Sequence, residues 1–452
     1  MIPVVTPAVM GAIDRDAPEP VDVLVARAGW AVARAAVDML GGTYGRRVVV
    51  VAGKGNNGAD GRYAAARLTR RGVRVEVVGA ADAPHRLPPG LDLVIDAAYG
   101  TGFRGEYDAP DPGGAPVLAV DIPSGVDGLT GAAGPGAVRA DRTVTFAALK
   151  PGLLFPPGRE RAGRVDVVDI GLDVSGATIH VVERADVEGW VPGRPPDAHK
   201  WKSAVWVVAG SPGMTGAAFL CARAAMRAGA GTVRLGIPGV PPDPPFLEIV
   251  GRSIPGHGWE DDVLDDLGRA KALVVGPGLG RSDATAAAVR RLAACAPVPL
   301  VLDADGLFAV GTAEEAVTVL AGRTAATVLT PHDGEFSRLT GARPGGDRVA
   351  AARDLAARTR ATVLLKGPTT VVADPTGAVL LSTAGDERLA TAGTGDVLAG
   401  VVGAYLAQGL DGLRAAAGAA FVHGQAGHLG WRHGLVAGDL LDLLPAVLDR
   451  RS

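Results

Sequence analysis

Three clusters of glycine and polar residues follow apolar runs in the first part of the 452-residue chain: GKGNNGADG at 53–61, DAAYGTGFRGE at 96–106 and DIPSGVDGLTG at 121–131. Ligands of open α/β sheets bind outside the carboxyl ends of the strands, so we expect Asn57, Asp96 and Asp121 to converge on one pocket. Oxygen donors from Asn57, Asp96 and Ser124 would suit a hard cation. The simpler alternative is that the aspartates only cap loops by accepting backbone N–H groups.

The first cluster also matches a common nucleotide-binding pattern. Gly53, Gly55 and Gly58 have the spacing G-x-G-x-x-G, which alone is a weak indication of a dinucleotide-binding fold. Asp60 falls in the first turn of the helix predicted to follow, where its charge would repel a bound pyrophosphate. A dehydrogenase is therefore the least favoured interpretation. The two asparagines of the cluster are also explained as turn residues, and that alternative stays open.

A further glycine-rich cluster, ATAGTGDVLAGVVGAYL at 390–406, leads into a long apolar helix. The free N–H groups at such a helix start bind anions, and Gly393 and Gly395 would let a ligand approach them. Asp396 is our candidate for the base that accepts a hydroxyl proton during phosphoryl transfer. The simpler alternative is that Thr394 or Asp396 only caps the helix.

Other segments of this half carry polar residues where predicted strands end. Lys366 in LLKGPTT stands before a glycine turn and suits contact with the phosphate or ribose of a nucleotide. VVGPGLG at 274–280 allows a close approach of the backbone to a ligand. VLTPHDGEFSRL places His332 and Glu335 at the start of a helix, although a lone histidine is usually structural. The sequence has no Walker motif, which excludes P-loop chemistry.

These residues must be positioned by apolar runs that alternate with alanine- and arginine-rich segments, a pattern that predicts two doubly wound α/β domains. We place the domains at 1–190 and 195–452, because 183–203 is rich in proline, glycine and charge and resembles a linker. In the first domain the predicted strands are 47–53, 73–79, 91–97, 116–122, 142–148 and 164–170, with a helix at 59–71. In the second the predicted helices are 216–229, 283–296, 347–360, 394–408 and 412–430.

Composition excludes several classes of function. Lysine and arginine total 45 against 48 acidic residues, and a net charge of −3 gives no electrostatic case for nucleic acid or an anionic membrane as partner. No apolar run is long enough to span a membrane, and the first residues lack a signal-peptide pattern. The only cysteines, Cys221 and Cys295, are expected to be buried thiols. We therefore expect a cytoplasmic protein.

The segments GKGNNGADG, DAAYGTG, AVDIPSGVDGLTG and TFAALKPGLLFPPGRERAG together resemble the NAD(P)H-hydrate epimerase family over nearly all of residues 1–190. The resemblance implies a Rossmann-like three-layer domain with Asp121 as the acid–base group and potassium bound by Asn57, Asp96 and Ser124. Ala59 stands where that family usually has glycine. The residues implied to contact the damaged cofactor, NAD(P)HX, are Asn56, Asn57, Gly58, Ala59, Asp60, Gly100, Thr101, Gly102, Phe103, Arg104, Gly105, Glu106 and Asp121.

The segments HKWKSAVWVVAGSPGMTGAA, GPGLG, TPHDGEF, LKGPTT and AGTGDVLAG resemble the ADP- or ATP-dependent NAD(P)H-hydrate dehydratases, which are ribokinase-like, over about residues 197–445. The resemblance implies that Asp396 is the general base toward the C6 hydroxyl and that Mg²⁺ accompanies the nucleotide. The residues implied to contact NAD(P)HX are Ala217, Gly278, His332 and Asp396. Those implied to contact the nucleotide are Lys366, Gly367, Pro368, Thr369, Thr370 and Gly395.

Together the two resemblances imply a bifunctional repair enzyme and a homo-oligomer. Its first domain would interconvert R- and S-NAD(P)HX, and its second would dehydrate the S epimer at the expense of ADP. The alternative is a ribokinase-like kinase of a small alcohol or vitamin precursor, with a first domain that only binds a ligand. No residue decides between ADP and ATP, or between NADHX and NADPHX.

Overall fold

The computed structural model describes residues 1–243 and 246–449, which form two compact units. One unit is Ile2–Ile179, and the other comprises His180 onward with Met1. The division precedes the predicted linker 183–203, where the structure instead has a helix over Arg184–Trp190. A capping box explains that helix, because Glu183 and Asp186 each accept a hydrogen bond from the other's backbone N–H. The domain limits 1–190 and 195–452 stay a prediction, and residues 450–452 lie outside the described residues.

The first unit begins with a short strand and a pair of helices, and from its third to its sixth strand no helix intervenes. Its strands are β1 (Ile2–Val4), β2 (Arg47–Ala52), β3 (Arg74–Gly79), β4 (Leu93–Ala97), β5 (Val117–Val120), β6 (Arg142–Phe146) and β7 (Arg164–Val168). Its helices are α1 (Pro7–Arg15), α2 (Val21–Leu40), α3 (Asn56–Arg70), a 3₁₀ turn at Pro151–Leu153 and α4 (Gly158–Ala162).

The second unit is larger and begins with a strand at its boundary. Its strands are β8 (Ile179–Val181), β9 (Ala204–Val208), β10 (Thr232–Gly236), β11 (Ile249–Arg252), β12 (Ala272–Val275), β13 (Leu300–Leu302), β14 (Thr327–Leu329), β15 (Thr362–Leu365), β16 (Thr370–Ala373) and β17 (Val379–Ser382). Its helices are α5 (Arg184–Trp190), α6 (Thr215–Arg227), α7 (Trp259–Asp266), α8 (Asp283–Cys295), α9 (Asp305–Ala309), α10 (Ala313–Leu320), α11 (Asp333–Thr340), α12 (Arg348–Thr359), α13 (Thr394–Ala407), α14 (Gly412–Leu429) and α15 (Ala437–Leu448), with 3₁₀ turns at Lys200–Ser203, Leu267–Arg269 and Glu387–Leu389.

The first unit has a six-stranded sheet of order β3-β2-β4-β5-β6-β7, in which every pairing is parallel. Alternate residues of β2 pack on opposite faces. Val48 and Val50 join a core with α2 and α3, whereas Val49 and Val51 pack against loop segments on the other face. The strand order changes direction between β2 and β4, so the loops after these strands diverge and leave a crevice for a ligand.

The sheet of the second unit has the order β8-β17-β16-β15-β14-β13-β12-β9-β10-β11. Neighbouring strands pair in parallel along the run β15-β14-β13-β12-β9-β10-β11. The sheet then continues through antiparallel pairs of β15 with β16 and of β16 with β17. Helix α13 is almost entirely buried against this sheet and its neighbouring helices, as its continuous apolar sequence predicts.

Two expectations about individual segments can be judged directly. Cys221 is buried, but the prediction that Cys295 is also buried is wrong, because it ends α8 on a solvent-facing turn and is exposed. Among residues 1–243 and 246–449, no helix combines the length and apolarity needed to cross a membrane.

Candidate active sites

The first unit contains a cavity of about 860 Å³ at the carboxyl ends of β2, β4 and β5. The predicted residues on its wall are Asn56, Asn57, Asp60, Gly100, Thr101, Gly102, Phe103 and Asp121. Asp96 and Ser124 are not on the wall, and both are almost fully buried in the protein. Gly58, Ala59, Arg104, Gly105 and Glu106 are also absent from the wall. The sequence therefore located the cavity, although the structure brings only part of the implied contact set to it.

The turn after β2 depends on glycine because backbones pass very close together. A Cβ atom on Gly58 would stand 2.0 Å from the carbonyl oxygen of Gly53, and one on Gly53 would stand 1.9 Å from that of Ala98. These distances are far inside van der Waals contact, so both positions require glycine. The turn allows α3 to start at Asn56, three residues earlier than predicted, with its first turn facing the cavity.

Asp121 is held rigidly at the end of β5. Its Oδ1 accepts from Lys150 Nζ at 2.7 Å and Thr145 Oγ1 at 3.2 Å, and its Oδ2 accepts from the Thr101 N–H at 3.0 Å. Burial opposes the charge of Asp121, but the Lys150 ammonium and these hydrogen bonds outweigh burial and lower its pKa. Its backbone φ of 67° is a strained conformation of the kind that clusters at active sites. Asp121 is therefore an oriented carboxylate.

Asp60 on α3 has the opposite electrostatic environment. Burial is the main cause, and the charges of Asp121 and Asp14 add to it, raising the pKa of Asp60 to about 8. Asp60 is consequently largely protonated at neutral pH. The protonated carboxyl carries no charge, so Asp60 repels a bound pyrophosphate much less than the sequence suggested.

The predicted cation donors are a hydrogen-bonded pair, Asp96 with Ser124, and Asn57 on the cavity wall. Asp96 is buried and accepts from the Ser124 N–H at 2.8 Å and the Ser124 hydroxyl at 2.7 Å, and burial raises its pKa to about 6. Both side-chain polar atoms of Asn57 are buried and have no hydrogen-bond partner among residues 1–243 and 246–449. A buried amide with no partner is costly unless a ligand satisfies it. The oxygens of Asn57, Asp96 and Ser124 therefore fit a hard cation, although the described residues contain no cluster of three or more His, Cys, Asp or Glu side chains suited to a metal.

In the second unit, polar residues meet at the ends of three neighbouring parallel strands. Asp303 follows β13, Thr330 follows β14 and Lys366 follows β15. Asp303 Oδ1 accepts from Lys366 Nζ at 2.6 Å and from Thr330 Oγ1 at 2.6 Å. A Cβ atom on Gly395 would stand 3.3 Å from Lys366 Nζ. The lysine therefore reaches the start of α13, where free N–H groups add positive potential.

Asp396 lies in the first turn of α13, in the same electrostatic cluster. Its pKa is raised to about 6, mainly by burial and next by Asp303, while Lys366 acts in the opposite direction. Burial also raises the pKa of Glu335, despite the nearby lysine. For Lys366, burial favours the neutral amine, but Asp303 and Glu335 outweigh it and raise its pKa. The cluster thus combines a firmly charged cation with a carboxylate whose pKa is close to neutrality, a combination suited to acid–base chemistry.

The alternative that Asp396 or Thr394 only caps α13 is not favoured by the geometry. Gly393 is the N-cap, in a left-handed conformation, and no side chain caps the helix. The Thr394 hydroxyl instead donates to the carbonyl groups of Leu389 and Thr391. Asp396 therefore remains available to a ligand.

The other implied substrate contacts lie on neighbouring loops. A Cβ atom on Gly278 would stand 3.1 Å from the Cβ of Ala217, so these two residues are adjacent. His332 is the N-cap of α11, and its Nδ1 accepts from the N–H groups of Gly334 and Glu335. His332 therefore has a structural role through Nδ1, as expected for a lone histidine. The rest of its ring is largely exposed and lines a groove of about 230 Å³.

The implied nucleotide-binding segment forms a tight connection between antiparallel strands. Lys366, Gly367, Pro368 and Thr369 join β15 to β16, and Thr370 is the first residue of β16. Gly367 and Pro368 are exposed, whereas Thr369 is buried. The sequence analysis did not single out Lys150, Thr145, Asp303 or Thr330. Lys150 and Thr330 had a detectable signal, because they lie in the quoted segments TFAALKPGLLFPPGRERAG and VLTPHDGEFSRL.

Two family models match the chain. The model described as NAD(P)H-hydrate dehydratase matches residues 205–446, and the model described as YjeF-related protein N-terminus matches residues 21–89 and 79–152. A bifunctional NAD(P)H-hydrate repair enzyme from Salinibacter ruber is 39% identical, over 99% of this chain and 96% of its own.

Solved structures resemble the second unit. An ADP/ATP-dependent NAD(P)H-hydrate dehydratase from Bacillus subtilis, co-crystallised with ATP and Mg²⁺, is 31% identical with a TM-score of 0.52, over 59% of this chain and 97% of its own. A ribokinase-like superfamily protein from Enterococcus faecalis has the same TM-score of 0.52 at 20% identity, over 60% of this chain and 95% of its own, and confirms the ribokinase-like fold. The chain belongs to the family of bifunctional NAD(P)H-hydrate repair enzymes.

Proposed function

We propose that this chain repairs hydrated nicotinamide cofactors with two activities. The first domain interconverts R- and S-NAD(P)HX, and the second dehydrates the S epimer to NAD(P)H at the expense of ADP. The observation that carries the proposal is the presence of a buried aspartate–lysine pair at the strand ends of each unit, Asp121 with Lys150 and Asp303 with Lys366. Each pair lies beside a further carboxyl group, Asp60 or Asp396, with a raised pKa. The small-alcohol kinase alternative leaves the first of these sites without a role.

In the first domain the substrate carries a hydroxyl on C6, next to the ring nitrogen. Reversible loss of this hydroxyl, or opening of the ring, removes the configuration at C6, and both routes require proton transfer. Asp121 is our candidate for the acid–base group, because its carboxylate is fixed by three donors at the cavity wall. The walls formed by Asn56, Asn57 and the loop Gly100–Phe103 would hold the cofactor.

We propose that potassium is held by Asn57, Asp96 and Ser124. The unpartnered amide of Asn57 and the buried carboxyl of Asp96 support this donor set. The ion would supply a fixed positive charge beside the substrate. The three protein residues would keep that charge in place, and Ser124 orients the Asp96 carboxylate through its backbone and hydroxyl.

In the second domain we propose that Asp396 accepts the proton of the C6 hydroxyl while that oxygen attacks the terminal phosphoryl group of ADP. Lys366 and the N–H groups at the start of α13 would stabilise the charge on the phosphoryl oxygens. The attack breaks the bond between the two phosphoryl groups of ADP and releases AMP. Phosphate then leaves C6 as the ring nitrogen supplies its electron pair, and loss of a C5 proton restores the dihydropyridine. The hairpin Lys366–Thr370 would bind the nucleotide, which would carry Mg²⁺, and Ala217, Gly278 and His332 would contact NAD(P)HX.

Several expectations remain predictions of the sequence. They are the choice of ADP over ATP, the choice between NADHX and NADPHX, a cytoplasmic location and a homo-oligomeric state. The functional test uses purified full-length protein with R- or S-NADHX, potassium and magnesium. Chromatography without nucleotide measures epimer exchange against a no-enzyme control, and NADH absorbance after addition of ADP or ATP measures dehydration. The proposal expects both reactions, and absence of NADH with either nucleotide would contradict it.

A further inference from the structure

The cavity of the first unit contains a second carboxyl group whose arrangement differs from that of Asp121. Asp60 is 7% exposed and lines the cavity from α3, while Asp121 lines it from the loop after β5. Both oxygens of Asp121 accept hydrogen bonds from protein groups. Within the described residues, the carboxyl group of Asp60 forms no hydrogen bond and no ion pair. A nearly buried carboxyl without a partner is costly when charged, which favours its neutral acid form.

The charges around the cavity separate the two groups further. Lys150 is only 1% exposed and is committed to Asp121, and within the described residues neither Lys54 nor Arg62, the other two cations on the wall, forms an ion pair with Asp60. Burial and the carboxylates of Asp121 and Asp14 raise the pKa of Asp60 to about 8, whereas Lys150 helps to lower that of Asp121. Helix α2, which packs on α3, contributes only apolar residues and no charge to the described wall. The remaining titratable groups on that wall are Asp14, Lys54, Arg62, Asp82 and Tyr99.

Two carboxyl groups whose surroundings separate their proton affinities form a natural acid–base pair. We propose that Asp60 is the catalytic proton donor of the epimerisation and that Asp121, kept ionised by Lys150, is the proton acceptor. This inference rests on the proposed function of the first domain and assigns the two halves of its proton transfer to two residues on the wall of one cavity.

The proposed step balances without a redox partner. Asp60 transfers its proton to the C6 hydroxyl, the C6–O bond breaks, and water leaves as the N1 lone pair forms an N1=C6 iminium. Water then attacks the opposite face of C6, and its proton passes to Asp121. The pair resets when Asp121, the stronger acid, returns a proton through solvent to Asp60, the weaker acid. The reverse epimerisation uses the same groups with their roles exchanged.

The test compares full-length wild type with Asp60→Asn, which keeps the shape and removes the acidic proton. Epimer exchange is followed by chromatography from pH 5 to 10, without nucleotide and with subtraction of the uncatalysed rate. General acid–base groups typically contribute about 10²- to 10⁴-fold, and we expect kcat to fall by that factor with little change in KM. Asp22→Asn removes an exposed carboxylate of α2 that lies outside the cavity wall, and is expected to behave as wild type.

The wild-type kcat/KM is expected to fall above pH about 8, with a slope of one proton, and the residual activity of Asp60→Asn is expected not to show this fall. Dehydration of S-NADHX with ADP reports whether each variant retains a folded second domain. A kcat of Asp60→Asn within threefold of wild type, or an unchanged fall above pH about 8, would overturn the assignment. If Asp60→Asn does not fold, a wild-type epimerisation rate that does not fall above pH about 8 would overturn the assignment. Failure of wild type to exchange epimers would instead contradict the proposed function itself.

Discussion

At Asp396, burial and the neighbouring Asp303 raise the carboxyl pKa to about 6, and Lys366 only partly offsets them. A base of this pKa is ionised at neutral pH and still has a substantial affinity for a proton. Protonation removes its basicity, so we predict that kcat/KM for dehydration of S-NADHX falls tenfold per pH unit below pH about 6. Asp396→Asn is expected to lose about 10²- to 10⁴-fold in kcat.

Epimer exchange in the same Asp396→Asn sample is the internal control, because the first domain has its own site. NADH formation with ADP measures dehydration across the pH series. An Asp396→Asn variant with wild-type kcat, or a wild-type profile that is flat from pH 7 to 5, would rule out Asp396 as the base.

The pair of Lys150 and Asp121 supports a prediction about stability. Removal of one partner from a buried ion pair typically costs about 3–5 kcal/mol, because the other charge is left uncompensated. We expect Lys150→Met to lower the free energy of unfolding of the first domain by about that amount at pH 7. Adding Asp121→Asn to Lys150→Met should recover most of the loss, since no buried charge then remains.

Urea denaturation of the full-length variants measures this coupling, with loss of epimerase activity marking the transition of the first domain in wild type. Tyrosine and tryptophan fluorescence follows the variants that are inactive. If the losses of unfolding free energy of Lys150→Met and Asp121→Asn, each measured alone, add up to the loss of the double variant, Lys150 and Asp121 do not interact as described.

At the residue scale, position at the end of a predicted strand singled out Asp96 and Asp121, and position at a glycine-rich helix start singled out Asp396. Strand ends of a parallel sheet lie at one edge, so sequence position translates directly into proximity. Burial and pairing do not follow from that rule. Lys150 was missed because its role depends on a side chain that is 1% exposed and reaches back to Asp121, 29 positions earlier in the sequence.

The next scale is that of the element, where the turn from β2 into α3 sets the geometry of the first site. A Cβ on Gly58 would stand 2.0 Å from the carbonyl oxygen of Gly53, so either α3 or the strand end must move. We predict that Gly58→Ala destabilises the first domain by at least about 1–3 kcal/mol, the usual cost of overpacking. Epimer exchange should fall by more than tenfold, while dehydration of S-NADHX is retained.

Ala59→Gly is the matched control in the same helical turn. Ala59 donates its N–H to the Gly55 carbonyl within α3 and is absent from the cavity wall, so its methyl group does not obstruct this turn. We expect epimer exchange within threefold of wild type and a loss of stability of about 0.5–1 kcal/mol from the lower helix propensity of glycine. A Gly58→Ala variant as active and stable as Ala59→Gly would contradict the close-packing argument.

The sequence predicted the elements unevenly. The six predicted strands of the first unit are confirmed with ends shifted by one or two residues, because continuous valine and leucine runs mark buried parallel strands. Helix α3 begins earlier than predicted, since its glycines and asparagines resemble a loop until packing fixes them. The short elements β11, β16, β17 and α5 were not assigned, because strands of four residues and single capping boxes give little periodic signal.

At the scale of the whole molecule, we assign one activity to each unit of a single chain. The epimerase supplies the S form that the dehydratase consumes, so an equilibrium between epimers becomes complete repair. This relation was predicted from two ordered sets of motifs, and family membership supports it. The expected homo-oligomer and the expected use of ADP rest on the family resemblance alone, because no segment marks an interface and no single residue distinguishes ADP from ATP.

The most direct test of the two-activity account is the final amplitude of NADH formation from a defined mixture of R- and S-NADHX with ADP, potassium and magnesium. Wild type is predicted to convert the entire mixture, whereas Asp121→Asn should convert the S fraction rapidly and then slow to the uncatalysed rate of epimer exchange. A wild-type reaction that stops at the S fraction, or an Asp121→Asn reaction that proceeds to completion at the wild-type rate, would contradict the account.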